Sequence, residues 1–115
     1  MKESLKTFAN NLNVYLAYYN LSQSELAKKL DCSSQGVSKW SRGLSAPAWD
    51  KIDKMCEIFH CTRGQLLEKE QTYDSIEDNK LQAELTKYFD RLTTDGKEKV
   101  LEYLTDLNEK YFKEV

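Results

Sequence analysis

Between Ser22 and Gly43 the chain gathers side chains that donate and accept hydrogen bonds. From Ser34 to Arg42 only Val37 and Trp40 are apolar, three positions apart, so a helix here buries one thin stripe. Ser34, Gln35, Ser38 and Lys39 then fall on the opposite face. A glutamine amide can make two parallel hydrogen bonds to an adenine edge, and a lysine can donate to guanine or to phosphate. The chemistry open to this surface is recognition of a nucleic-acid groove. Bond-making chemistry has little to work with. There is one histidine, His60, so no triad or histidine-rich metal site can be assembled, and no Gly-rich phosphate loop appears.

The elements that must position this face are legible around it. Ser22 and Glu25 form S-x-x-E, a capping box that opens a short helix. Leu26, Ala27 and Leu30 give that helix a narrow apolar stripe, with Ala27 small enough for a close crossing. Asp31 tolerates a left-handed backbone better than most residues and is placed to end it. Ser33 caps the next helix and Gly43 stops it.

These residues resemble the helix-turn-helix of the lambda-repressor/Cro-like family, also called the xenobiotic-response-element family, whose docking on DNA is well described. The resemblance rests on Leu21, Ser22, Gln23, Glu25, Leu26 and Ala27 in the first helix. It rests also on Val37, Ser38, Lys39, Trp40, Ser41, Arg42 and Gly43 in the second, and on Pro47 beyond it. It covers residues from about 5 to 68. It implies a five-helix DNA-binding unit with the helix of residues 33–42 in the major groove. By the same resemblance Gln23 lies beside the phosphate backbone. Ser33 and Ser34 reach phosphate or a base edge, Gln35 is the principal base reader, and Lys39 and Ser38 lie alongside it. Arg42 clamps phosphate, and Trp40 packs inward. Three positions depart from the family pattern. Asp31 stands for a common Gly, Gly36 for a frequent Ser or Thr, and Ser41 for a frequent Glu, whose loss is expected to remove a structural interaction at the helix end.

The rest of the chain is expected to be all-α. A first helix spans about Ser4 to Tyr19, with Leu5, Phe8, Ala9, Leu12, Leu16 and Tyr19 stepping by three and four. A fourth starts just after Pro47 and buries Ile52, Met55, Cys56 and Phe59. A short fifth is opened by a second capping box, Thr62 with Gln65, and packs Leu66 and Leu67. Residues 69–78 read as a polar linker, with partial helix as the alternative. Residues 79–115 read as a helical hairpin: one helix over about Asn79–Leu92, a turn capped by Thr93 or Asp95, and another over about Asp95–Phe112. Leu85, Tyr88 and Phe89 on the first, and Val100, Leu104, Leu107 and Tyr111 on the second, form its apolar face. Two helices share too little surface to be stable alone. The hairpin is expected to dimerise, the alternative being a cover over its own first domain.

Charge is divided along the chain. The overall net charge is −2, yet residues 1–68 hold nine Lys/Arg against seven Asp/Glu, net +2, while residues 69–115 hold eight against twelve, net −4. A domain this weakly basic makes few phosphate contacts per subunit, which favours binding by two subunits together. Cys56, His60 and Cys61 could supply three metal ligands, but Cys56 falls on a buried face and Cys32 and Cys61 suit turns as small hydrophobes. No metal, cofactor or disulfide is expected. No run nears the roughly 18 apolar residues of a membrane span, and no signal peptide precedes the first helix, so a cytoplasmic protein is expected. The expected function is a sequence-specific, homodimeric DNA-binding regulator, most simply a repressor on an inverted-repeat operator, from a bacterium or its phage. The alternative is an antitoxin-like regulator whose hairpin binds a toxin or antirepressor protein.

Overall fold

The computed structural model describes residues 3–113. Seven α-helices follow in order: α1 Glu3–Tyr18, α2 Gln23–Leu30, α3 Ser34–Ser41, α4 Trp49–Phe59, α5 Arg63–Leu67, α6 Tyr73–Phe89 and α7 Thr94–Thr105. A 3-10 turn over Glu109–Tyr111 comes last, and no strand occurs among the described residues. The chain divides into two compact units after Lys80, within α6.

In the first unit the core forms where the stripes of α1 to α5 meet. Phe8, Leu12, Tyr15 and Leu16 of α1 pack with Leu26, Ala27 and Leu30 of α2, and with Val37 and Trp40 of α3. Ile52, Met55 and Phe59 of α4, Leu66 of α5 and Ile76 of α6 complete it. Tyr15 stacks on Phe59 with ring centroids 4.9 Å apart. Cys56, assigned to the buried face, is only half-buried and packs at the core's margin.

Four successive helices end alike. Asn20, Asp31, Gly43 and His60 each adopt a left-handed backbone, with φ of 54°, 55°, 73° and 55°. The amide after each donates back across the last turn: Leu21 to Leu16, Cys32 to Ala27, Leu44 to Lys39 and Cys61 to Cys56, at 2.9–3.0 Å. These are Schellman-type endings, and Gly, Asn, Asp and His are the residues that accept them at least strain. They turn the chain sharply, so that short helices fold back on one another.

Asn11, fully buried on α1, joins distant parts of the chain. Its Nδ2 donates to the carbonyls of Leu66 and Lys69, each at 2.8 Å, and more weakly to Gln65 at 3.3 Å. Its Oδ1 accepts from the Gln71 amide at 2.8 Å. The same residue thus satisfies the end of α5 and the segment leading into α6.

The sixth helix begins at Tyr73, about six residues before the expected Asn79. Thr72 and Ser75 cap it reciprocally: Thr72 N–H donates to Ser75 Oγ and Ser75 N–H to Thr72 Oγ1, at 2.8 and 3.1 Å. Its first turns pack through Ile76, and Tyr18 donates a hydrogen bond to Glu77. The polar sequence hides this start because Ile76 is the one side chain of α6 that is buried.

In the second unit Thr93 caps α7, accepting from the Gly96 amide at 3.2 Å. The seventh helix stops at Thr105, well short of the expected Phe112, so Leu107 and Tyr111 lie beyond it. Asn108 explains the break: its side chain accepts from the Lys110 amide at 3.1 Å and starts the 3-10 turn instead. No residue of α7 is buried. Leu85, Tyr88, Leu104 and Tyr111 are exposed, while Phe89, Val100 and Leu107 are half-buried.

Candidate nucleic-acid interface

The second and third helices meet across the turn at Asp31–Ser33. Ser22 opens α2 as a complete capping box: its Oγ accepts from the Glu25 amide, and the Glu25 carboxylate accepts from the Ser22 amide, each at 3.0 Å. The Ser22 backbone bond holds the Glu25 carboxyl below its ordinary pKa. The far end of α2 is closed by Lys51 of α4, whose Nζ donates to the Leu30 carbonyl at 2.6 Å. Ser33 then caps α3, its Oγ accepting from the Gly36 amide at 3.1 Å.

Val37 and Trp40 seat α3 in the core. Ser34, Gln35 and Lys39 are exposed, and Ser38 is half-buried. These four share the helix that Val37 and Trp40 anchor. The remaining candidate residues are differently occupied. The Ser33 hydroxyl oxygen serves the cap. Arg42, although exposed, folds back so that its Nε donates to the Ser38 carbonyl at 3.3 Å. Gln23, half-buried at the start of α2, donates from Nε2 to Ser41 Oγ at 3.0 Å.

Ser41 was not among the expected site residues, and its substitution for Glu was expected to cost an interaction. In the structure Ser41 makes hydrogen bonds of its own at the helix end. The Ser41 hydroxyl donates to the Ser38 carbonyl at 2.8 Å while accepting from Gln23, and its carbonyl accepts from Asn13 Nδ2 at 2.9 Å. The end of α3 is therefore tied to both α1 and α2. A clue lay in its spacing, four residues after Val37 on the same stripe.

The sulfur-bearing residues sit elsewhere, at the α4–α5 junction. Burial, with the neighbouring Cys56 adding to it, pushes the Cys61 thiol up to about 12. Burial likewise raises Cys56. A protonated thiol is a poor nucleophile and a poor ligand. Among the described residues no group of three His, Cys, Asp or Glu side chains is placed to hold a metal ion. Nor is any described helix long and apolar enough to cross a membrane.

A five-helix core with α2 and α3 joined by a tight turn, the latter anchored on one face and hydrogen-bonding on the other, defines a helix-turn-helix protein. The family profile of the Cro/C1-type HTH DNA-binding domain matches residues 11–71, more than half of the chain, and the chain belongs to that family. No curated protein and no solved structure matches it. The protein is a DNA-binding transcriptional regulator.

Proposed function

We propose that the protein is a homodimeric repressor that binds an inverted-repeat operator, with α3 of each subunit in the major groove. The observation that carries this reading is the division of α3: Val37 and Trp40 are buried while Ser34, Gln35 and Lys39 stand exposed on the same helix. Gln35 reads adenine through its amide, Lys39 donates to guanine or phosphate, and Ser34 and Ser38 add shorter contacts. Gln23, Ser33 and Arg42 serve the phosphate backbone. The second subunit supplies the other half-site, one or more helical turns of roughly 34 Å away. Repression follows from occupying DNA that polymerase needs.

Two features support dimerisation through residues 79–115. Most of the hairpin's apolar side chains are exposed, Leu85 at 52% and Tyr88 at 54%, while Phe89, Val100 and Leu107 are half-buried. The first 68 residues carry a net charge of only +2, so one subunit gains little from phosphate contacts alone.

Selection from a random duplex library, comparing wild type with the Gln35→Ala/Lys39→Ala double variant, tests the proposal. Enrichment of an inverted repeat by wild type alone establishes it. A folded wild-type protein that enriches nothing overturns it, and favours a regulator whose hairpin binds a toxin or antirepressor.

A further inference from the structure

We propose that Ser41 is the positioning residue of the DNA interface, fixing which way the Gln23 amide points without touching DNA itself. The inference rests on the reading of Gln23 as a DNA contact and adds the device that orients it.

The argument is one of hydrogen-bond polarity. A serine hydroxyl has one hydrogen to give and lone pairs to receive. Ser41 gives its hydrogen to the Ser38 carbonyl at 2.8 Å, so toward any other neighbour it can only accept. Gln23 meets that oxygen at 3.0 Å and must present its NH2 group, the only donor its amide has. The Ser38 carbonyl thus sets the Ser41 hydroxyl, and the hydroxyl sets the Gln23 amide. One Nε2 hydrogen is held inward. The other, together with Oε1, is left for DNA in a defined orientation.

Ser41 itself is held in place. It is 9% exposed, and its carbonyl is tied to Asn13 of α1 at 2.9 Å. A side chain oriented before binding loses less rotational freedom when it binds, which raises affinity without adding a contact. The bond also spans the two helices of the motif, so the orientation of Gln23 is set relative to α3.

The test is a double-mutant cycle on the selected operator, with dissociation constants measured for wild type, Ser41→Ala, Gln23→Ala and the double variant. Ser41→Ala and Gln23→Ala are each expected to weaken binding about three- to tenfold, and the double variant no more than the weaker-binding single one. Ser41→Thr, which keeps the hydroxyl, is expected to stay within about twofold of wild type. Amide spectra check the fold. Should Ser41→Ala not fold, Ser41→Cys replaces it, since a thiol is only a weak acceptor. In the DNA-free protein, loss of the Ser41 hydroxyl is expected to move the Gln23 side-chain NH2 resonances to the positions of a free glutamine.

Losses that multiply in the double variant, or NH2 resonances unmoved by loss of the hydroxyl, overturn the inference. Wild-type affinity in Gln23→Ala overturns it too, while leaving the DNA-binding proposal standing if the Gln35→Ala/Lys39→Ala variant still fails to bind. A wild-type protein that binds no duplex overturns both.

Discussion

Asn11 and Gln71, sixty positions apart, are joined by a 2.8 Å bond from the Gln71 amide to the Asn11 carboxamide oxygen. The Asn11 nitrogen simultaneously holds the carbonyls of Leu66 and Lys69. A single uncharged side chain thereby closes the first unit by joining α1 to the α5–α6 connection. Asn11→Ala is expected to cost about 3 kcal/mol, because removing it strands buried backbone groups. Asn11→Asp is expected to cost more near neutral pH, since a carboxylate would face two carbonyl oxygens. Burial and those carbonyls would raise its folded pKa, so its deficit should shrink as the pH falls through the carboxylate range. Urea denaturation at several pH values measures both. An aspartate variant as stable as wild type at neutral pH would contradict this account.

Gly36 offers a test of opposite sign. A β-carbon built there would meet Ser33 Oγ at 3.4 Å and Trp40 at 3.9 Å, which is ordinary contact. A glycine inside a helix costs about 0.5–1 kcal/mol relative to alanine. Gly36→Ala is therefore expected to stabilise the protein by about that amount, read as a higher thermal midpoint. A lower midpoint would show that the site has less room than the structure gives it. Operator affinity of the same variant then reports directly whether the DNA face admits a methyl group.

The contrast between Gly36 and Asn11 shows what was legible beforehand. Local signals came through: the Ser22–Glu25 capping box, the left-handed turn at Asp31, the Ser33 cap and the stop at Gly43 all depend on neighbours within a few residues. The exposed face of α3 was readable by contrast with Val37 and Trp40. Asn11 was not, because its partners lie 54 to 60 positions away and no periodicity marks a buried amide. Tyr15, a core residue stacked on Phe59, carries no clear mark of burial in the sequence because its ring is amphipathic. The ends of α6 and α7 were misplaced where side-chain caps overrode apolar spacing: Thr72 with Ser75 started one early, and Asn108 ended the other early. The tie between Gln23 and Ser41 is a tertiary contact that neither position announces alone.

The buried thiol gives a pH prediction. Burial raises Cys61 to about 12 in the folded protein, above its ordinary value of 9.0. An unfolded chain therefore loses this proton first as the solution becomes alkaline. The stabilising contribution is complete below the ordinary value and is lost as the pH rises from there toward the folded value. Stability measured by urea denaturation is expected to fall across that window, and to fall less steeply in Cys61→Ala. Tyr15, raised chiefly by burial and then by Cys61 itself, contributes in the same direction, so the difference between the two proteins reports the thiol together with its effect on Tyr15. Identical slopes would show that Cys61 ionises in the folded protein as it does in water.

The hairpin carries the prediction on assembly. In α7 no side chain is buried, and Leu104 is 39% exposed. Two helices cannot assemble a core of their own from such a surface, whereas a second copy brings two more and doubles the apolar area available. The protein is therefore expected to sediment as a dimer at about 10 µM, with a thermal midpoint that rises with concentration. Leu104→Glu places a charge in the shared face and is expected to give a monomer whose midpoint no longer depends on concentration. The α1–α5 core lies outside the substituted region, so its amide spectrum should be retained. Operator binding should weaken far more than the loss of one side chain explains, because each half-site would then be bound singly. A wild-type protein that sediments as a monomer at every concentration, yet binds the full inverted repeat with undiminished affinity, would show that the hairpin's apolar face serves something other than a second copy of this chain.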